Sequence, residues 1–284
     1  MPFHPSVLIV GDPAPPEFGP PLSWLADHAR LSWRTPESGA RGAEAAGPVR
    51  AAAEETPADD PHLIVFLQNR PGQITEAEVA ELHARWPLAP LVVLLGSWCE
   101  GEPRTGRPLP GVCRVEWHRW EAEFAWYWAT EGAGPHPWRL PRTHTPAERF
   151  LQAGAGEACG AEHRGRSLIA LAASDPANFA ALAEACRAAG YLVARWHGGA
   201  EGEIRGAAVA VWDEPGEGRD DHRQLADCAR HRGDIPLIAL QSMLRWEDWL
   251  AARAAGATTV LAKPLRLTDL LWHLDQYSSR PKDA

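Results

Sequence analysis

The sequence predicts two tandem three-layer α/β domains, each with a five-stranded parallel sheet between two layers of helices. Short apolar runs typical of buried strands alternate with segments of helical spacing along most of the chain. The 284 residues suffice for two cores of ordinary size. Similar landmarks recur in both halves, so we expect domains at residues 1–131 and 166–284, joined by a linker at 132–165.

The C-terminal half shows the alternation most clearly. Asp175 and Pro176 follow the first apolar run and form a helix start signal, because an acidic cap with Pro in the first turn favours helix initiation. The last helix should bury a stripe of leucines and leave Trp272 off that stripe. Strands are predicted at 166–172, 192–196, 207–212, 235–240 and 258–262.

The N-terminal half repeats this plan more loosely, with predicted strands at 7–10, 63–67 and 91–95. Gly11, Asp12 and Pro13 correspond to the helix start signal of the other half. Thr75 and Glu78 form a capping box that opens a helix. A second helix carries aromatic residues along 120–128, and the Ala, Gly and Pro rich segment at 35–60 is mostly loop with a short helix at 49–55.

Charge and hydropathy exclude several classes of function. The net charge of −9, from 37 acidic and 28 basic residues, disfavours broad contact with nucleic-acid backbones, although a local basic patch stays open. No apolar run is long enough to span a bilayer, so we expect a cytoplasmic protein that binds neither nucleic acid nor membrane.

Cysteine, histidine and tryptophan usage points to buried thiols and covered indoles. The five cysteines are odd in number and lack a Cys-x-x-Cys pair, so neither a disulfide framework nor a thiolate metal site is indicated. No histidine pair has the spacing of a helical metal site, and His136, His144 and His163 of the linker should be solvated. With no cofactor indicated, the 14 tryptophans suggest surfaces that another domain or partner covers.

The end of the chain resembles a known family. A strand, a helix, Gly256, a strand, Lys263 with Pro264 and a final helix succeed one another, as in the last third of a response-regulator receiver (CheY-like) domain. The resemblance covers residues 166–277 and implies a flavodoxin-like, receiver-like fold for each half. Receivers carry an acid pair after the first strand and an acceptor Asp at the end of the third. A Thr or Ser follows the fourth strand and Lys-Pro the fifth, and the acids hold Mg²⁺.

The resemblance implies that most of the phosphoryl chemistry is missing here. The acid-pair positions hold Ala173 and Ser174, with Asp175 one place too late. Spacing back from Pro215 puts the acceptor at Val211, whereas a register shifted by two residues would make Asp213 the acceptor and still leave no acid pair.

Of the two remaining receiver positions, only the last one, after the fifth strand, holds the residue that receivers have. Gln241 occupies the Thr position, with Ser242 beside it, and Lys263 matches the receiver lysine. Without paired carboxylates a Mg²⁺ ion lacks the oxygen ligands it requires. Lys263 therefore favours a structural role, in which it caps strand ends or pairs with Asp175 or Asp213.

The N-terminal unit departs further from the family, because Val10 and Gly11 occupy the acid-pair positions and Leu67 the acceptor position. Its strand ends should instead form a polar and aromatic rim, for which three interpretations stay open. The rim is a structural loop with Glu and Arg paired in solvent, a pocket for a small anion, or a site with Cys99 as nucleophile and His118 as base. The rim residues are Asp12, Gln68, Asn69, Arg70, Ser97, Trp98, Cys99, Glu100, Glu102, Arg104, Arg107, Trp117 and His118.

These observations predict a non-enzymatic signalling or scaffold protein built from degenerate receiver domains. Receivers commonly act through the face of their fourth helix, fifth strand and fifth helix, so a protein partner or a second copy should bind there. Docking of the two halves on each other would also cover the tryptophan rings of this face. The alternatives are a small-anion-binding or Cys-dependent N-terminal domain, and a phosphorylatable response regulator. The predicted interface residues are Trp246, Trp249, Arg253, Trp272 and His273.

Overall fold

The computed structural model describes residues 5–34, 60–99, 101–102, 109–129, 136–145, 147–148, 167–197, 204, 206–216 and 221–279. The chain divides into two compact units, Met1–Gly156 and Glu157–Ala284. The predicted short helix at 49–55 lies outside the described residues. None of the described helices has the length and apolar character needed to cross a membrane.

The N-terminal unit contains a sheet of five parallel strands, all paired in parallel with their neighbours. Its three central strands are built from Val, Ile, Leu and Phe and are buried along their length, as expected for strands covered on both faces. The strands are β1 (Ser6–Gly11), β2 (Arg30–Arg34), β3 (Leu63–Gln68), β4 (Leu91–Leu95) and β5 (Cys113–Glu116). The helices are α1 (Gly19–His28), α2 (Glu76–Arg85) and α3 (Trp120–Ala129).

The C-terminal unit repeats this architecture with a second parallel sheet of five strands. Its strands are β6 (Leu168–Ala173), β7 (Leu192–Arg195), β8 (Ala207–Asp213), β9 (Leu237–Ser242) and β10 (Thr259–Lys263). Its helices are α4 (Pro176–Ala188), α5 (Asp221–His231), α6 (Trp246–Ala254) and α7 (Leu267–Ser278).

The strand orders confirm the predicted fold class. The sheets run β2-β1-β3-β4-β5 and β10-β9-β8-β6-β7, which in each unit is the order 2-1-3-4-5 of flavodoxin-like domains. Two of the helix start signals hold, whereas no helix begins at Gly11, Asp12 and Pro13, because the first α-helix starts at Gly19. Thr75 and Glu78 form the capping box of α2, and Asp175 caps α4 by accepting from the amides of Ala177 and Asn178.

One part of the sequence assigned to the linker instead packs on the N-terminal unit. The ring of Trp138 lies 4.6 Å from that of Phe124 and 5.0 Å from that of Tyr127. His136 is fully buried, its Nδ1 accepts from the amide of Trp138, and burial lowers its pKa to about 3. The expectation of a solvated His136 is therefore wrong, because α3 presents an aromatic face that needs a cover. His144 is half-buried, and His163 lies outside the described residues.

Candidate functional site

The carboxyl ends of β8 and β10 bring two charged residues together in the C-terminal unit. Both strands pair with β9, so their last residues reach the same edge of the sheet. Asp213 ends β8 and Lys263 ends β10, immediately before a cis peptide bond to Pro264. Lys263 Nζ lies 3.0 Å from Asp213 Oδ1 and 3.0 Å from the carbonyl oxygen of Glu214, to which it also donates.

The carboxylate of Asp213 is buried, with 3% of the residue exposed, and both of its oxygens have partners. Oδ1 accepts from Lys263, and Oδ2 accepts from Asn178 Nδ2 at 3.2 Å. Asn178 reaches the site because Asp175 fixes the first turn of α4 beside the end of β6. An ammonium and an amide thus satisfy a charge that burial would otherwise make costly.

The residue that meets Lys263 is Asp213, and not Val211, to which the spacing from Pro215 pointed. Val211 is 1% exposed and packs in the apolar core with residues of β6, β9 and β10. Successive side chains of a strand point to opposite faces, so a shift of two residues preserves the face and moves the position to the strand end. The shifted register is therefore the one in which a carboxylate meets the lysine.

The acid-pair positions bring no second carboxylate to this contact. Ala173 is buried at the end of β6, opposite Asp213 in the strand register, and Ser174 is exposed. The carboxylate of Asp175 accepts from Ala177 at 2.6 Å and from Asn178 at 3.1 Å, which occupies it as a helix cap. Lys263 pairs with Asp213 rather than with Asp175.

The end of β9 supplies an amide where receivers have a hydroxyl. Gln241 is 2% exposed, and its Oε1 has no hydrogen-bond partner among the described residues. Ser242 is exposed, and its backbone amide donates to Glu214 Oε2 at 2.7 Å. Within the described part of the chain, no cluster of three His, Cys, Asp or Glu side chains is placed to hold a metal ion.

The rim of the N-terminal unit is largely a buried polar cluster. Gln68, at the end of β3, is 1% exposed and donates from Nε2 to Glu102 Oε1 at 3.1 Å. Glu102 is 4% exposed and pairs with Arg114 of β5 at 2.6 Å. Because these groups contact one another beneath the surface, they join the ends of β3 and β5 rather than line an open pocket.

Cys99 belongs to the same cluster and lacks the environment of a nucleophile. The residue is fully buried, and its thiol donates to the carbonyl oxygen of Gln68 at 3.3 Å. Burial and the nearby Glu102 raise the pKa of Cys99 to about 11, although a hydrogen bond from Gln68 opposes the shift. A catalytic thiol needs a lowered pKa, so this environment contradicts the interpretation of Cys99 as a nucleophile activated by His118.

The other rim residues divide between exposed and buried positions. Trp98 is 68% exposed, and the guanidinium of Arg70 lies 5.9 Å from its ring. Asp12 is exposed and caps its own turn by accepting from Ala14. Trp117 is buried, His118, Asn69 and Ser97 are half-buried, and Glu100, Arg104 and Arg107 lie outside the described residues.

The predicted interface residues lie on α6 and α7, on either side of the edge strand β10. Trp246 and Trp249 stack with ring centroids 5.0 Å apart, and the guanidinium of Arg253 lies 5.6 Å from the Trp249 ring. Trp272 is half-buried. His273 is 4% exposed, so it belongs to the core rather than to the face, and burial lowers its pKa to about 4.

Sequence reasoning missed two exposed leucines on this face, Leu250 at 45% and Leu267 at 40%. Leu267 was assigned to the buried stripe of the last helix, but it is the first residue of α7, where the helix has not yet reached the core. It also missed Asn178, since nothing in its sequence neighbourhood indicates that it reaches β8.

Comparisons with known proteins find partial likenesses to solved structures. No protein-family model and no curated protein matches the chain. The similar solved structures include a Burkholderia thailandensis protein assigned to pilus assembly, with 22% identity over 39% of this chain and 98% of that one and a TM-score of 0.34. A Francisella response-regulator receiver domain has 15% identity over 40% and 98%, with a TM-score of 0.35. A CheY-like receiver domain of Methanospirillum hungatei has 19% identity over 39% and 91%, with a TM-score of 0.34.

Proposed function

We propose that this chain is a non-enzymatic signalling or scaffold protein whose two receiver-like units act through protein contacts. The observation that supports this most directly is the occupied carboxylate of Asp213. Lys263 and Asn178 bond both of its oxygens, and Ala173 and Ser174 stand where a second and third carboxylate would be needed. Mg²⁺ is bound through carboxylates and needs near-octahedral oxygen ligands, which this strand end does not offer.

The contact surface in this proposal is the face of α6, β10 and α7, which we call the α6–α7 face. β10 is an edge strand that pairs with β9 on one side only, and α6 and α7 precede and follow it in the chain. The face carries the stacked Trp246 and Trp249 with the exposed Leu250 and Leu267. Aromatic rings surrounded by exposed apolar side chains are the composition that binding energy favours at interfaces.

The partner proposed for this face is a second copy of the chain. A two-fold contact places the same patch on both subunits, so the patch must complement itself. The α6–α7 face meets this requirement because it offers the exposed side chains of Glu247 on α6 and Arg266 before α7. Opposite charges near an apolar centre can pair across a two-fold axis while the indoles and leucines meet.

The chemical half of the proposal is tested by treating the full chain with acetyl phosphate and Mg²⁺, and separately with beryllofluoride and Mg²⁺. Intact-mass spectrometry and fluorine NMR should detect no adduct, and wild type and Asp213→Asn should be indistinguishable. An adduct on the wild type that Asp213→Asn lacks would show a phosphorylatable response regulator instead.

The docking half is tested by light scattering of the full chain across a range of concentrations. We expect a dimer for the wild type and a monomer for Leu250→Glu, because a charge in the centre of the face opposes burial. Leu88→Glu is the matched control, since Leu88 is 94% exposed in the N-terminal unit and lies outside the face. A wild type that stays monomeric, or a Leu250→Glu variant that dimerises normally, would contradict the proposed contact.

A further inference from the structure

The C-terminal unit contains a cavity of about 470 Å³ that the phosphoryl site does not account for. It lies at the carboxyl ends of β6, β7 and β8 and is bordered by α5. Its size falls within the ~300–1,000 Å³ of small-molecule sites. The apolar part of its lining comes from Ala172, Ala173, Trp196, Trp212 and Cys228.

The cavity occupies the position in the fold where open α/β sheets bind ligands. β6 is the first strand of the unit and lies between β7 and β8 in the sheet. The chain therefore moves to one side of β6 for its second strand and to the other side for its third. This reversal leaves a crevice outside the strand ends at the topological switch point.

The cavity is distinct from the contact between Asp213 and Lys263. Ala173, Ser174 and Asp213 contribute to its lining, so it shares the ends of β6 and β8 with that site, but Lys263, Gln241 and Ser242 do not line it. Those three residues end β9 and β10, on the opposite side of β8 from β6 and β7. A ligand in the cavity would thus lie beside the ion pair and leave it intact.

Trp196 is an unsatisfied hydrogen-bond donor in the cavity wall. It directly follows β7 and is 2% exposed, and its Nε1 has no hydrogen-bond partner among the described residues. A buried donor without a partner destabilises the folded protein, because it has lost its hydrogen bonds to water. An acceptor on a bound ligand would remove this destabilisation.

The charged lining favours an acidic group on the ligand. Both carboxylates among its described lining residues have cationic partners, since Asp213 pairs with Lys263 and Asp227 pairs with Arg230. His231 Nδ1 donates to the carbonyl oxygen of Asp227 at 2.7 Å, so Nε2 of the neutral ring is a hydrogen-bond acceptor. Among the described lining residues, the guanidinium of Arg230 offers several N–H donors for an acidic group, and neither carboxylate is unpaired.

We propose that this cavity binds a small planar ring compound that carries an acidic group and has about the size of a nucleoside monophosphate. The ring lies against the apolar and indole lining and accepts a hydrogen bond from Trp196. The acidic group accepts hydrogen bonds from the guanidinium of Arg230. This ligand site goes beyond the docking function, because no residue of the α6–α7 face contributes to it.

The test uses the full chain with adenosine monophosphate and flavin mononucleotide as probes, followed by saturation-transfer NMR and calorimetry. We expect at least one probe to bind with a dissociation constant below about 1 mM, which corresponds to roughly 4 kcal/mol. Adenosine, riboflavin and inorganic phosphate each lack half of the proposed recognition. They should bind at least about fivefold more weakly than the corresponding probe.

Matched variants locate the binding. Arg230→Glu should raise the dissociation constant of the probe by at least about tenfold, the size expected when a charge-assisted contact is lost. Arg187→Glu makes the same charge change on an exposed residue of α4 and should bind as wild type does. Trp196→Phe keeps a ring but removes the donor, and should weaken binding about threefold to tenfold.

Two results would overturn the ligand site: no binding of either probe at about 1 mM, or binding that Arg230→Glu and Trp196→Phe leave unchanged. If inorganic phosphate bound as tightly as the mononucleotides, the proposed recognition of a planar ring would be contradicted. The state of association of the same samples reports on the docking proposal separately, so the failure of one is not the failure of the other.

Discussion

Lys263 and Asp213 lie 50 residues apart in the sequence, yet the ammonium of one is 3.0 Å from the carboxylate of the other. The contact spans β9, since the two residues end the strands on either side of it. Asp213 Oδ1 is held by Lys263, and the same ammonium donates to the carbonyl oxygen of Glu214. The pair therefore ties the strand end of β10 to the loop that follows β8.

Removing the lysine should destabilise the C-terminal unit. Lys263→Met leaves the carboxylate of Asp213 buried with Asn178 as its remaining partner, and breaking such a pair costs about 3 kcal/mol. Urea unfolding followed by circular dichroism at neutral pH measures the loss.

The double variant Asp213→Leu with Lys263→Met is the control for this prediction. It replaces the pair with apolar groups, so it should be more stable than Lys263→Met alone. A loss below about 1 kcal/mol in the single variant would mean that the pair is solvated rather than buried.

Cys99 should resist alkylation in the folded protein. Its thiol is buried, and burial raises its pKa to about 11, so little thiolate exists near neutral pH. Iodoacetamide treatment followed by peptide mass spectrometry should leave Cys99 unmodified until urea unfolds the chain. The half-buried Cys113 is the internal comparison and should react faster. Rapid modification of native Cys99 would revive a catalytic interpretation.

Two buried histidines should make the protein lose stability in acid. Burial lowers the pKa of His136 to about 3 and that of His273 to about 4, both below the ordinary value of 6.5. Below pH 6.5 the unfolded chain binds protons that the folded chain does not. The free energy of unfolding should therefore fall with pH by about 1.4 kcal/mol per pH unit for each histidine.

His273→Phe tests the acid prediction because it removes one of the two groups. Urea titrations between pH 6.5 and pH 4 should give a slope that is smaller by about 1.4 kcal/mol per pH unit than that of the wild type. An unchanged slope would show that His273 is protonated in the folded protein.

Gly256 should tolerate no side chain between α6 and β10. Its φ of 108° suits glycine, and a Cβ added there would lie 2.7 Å from Ala229 Cβ on α5. Gly256→Ala should therefore cost about 2 kcal/mol, because strain and a close contact add up. Gly233→Ala is the matched control, with a φ of 64° and open space around its Cβ, and should cost about 1 kcal/mol. Equal losses in thermal melts would argue against close packing of Gly256 on α5.

The sequence predicted strands and helices where their side-chain pattern was strong. The apolar runs that became β1, β3 and β4 and all five strands of the C-terminal unit were recognised, with ends that differ by one or two residues. β2 was missed because Arg30–Arg34 is short and mixes polar with apolar residues, and α1 was missed because two prolines begin it. Tertiary contacts stabilise both elements rather than local pattern, since β2 pairs with β1 and α1 packs on β2 and α3.

The candidate site could be predicted only in part. The Lys263-Pro264 motif and the lack of acids at 173 and 174 could be recognised in the sequence, because they depend on residue type at strand ends. The partner of Lys263 was not, since family spacing favoured Val211 and only the extension of β8 by one residue reaches Asp213. The cluster of Gln68, Cys99 and Glu102 was misread as an open rim, because burial depends on Arg114 from a distant strand.

The sequence by itself determined the two α/β units, the strand and helix signals and the apolar or hydroxyl side chains of Ala173 and Ser174 at the end of β6. These follow from periodicity, capping residues and residue type, which act over a few positions. The tertiary structure alone decided that Asp213 meets Lys263, that His136 is buried under Trp138 and that a cavity opens beside Trp196. Those contacts join residues far apart in the chain, so they depend on strand register and packing that no local pattern encodes.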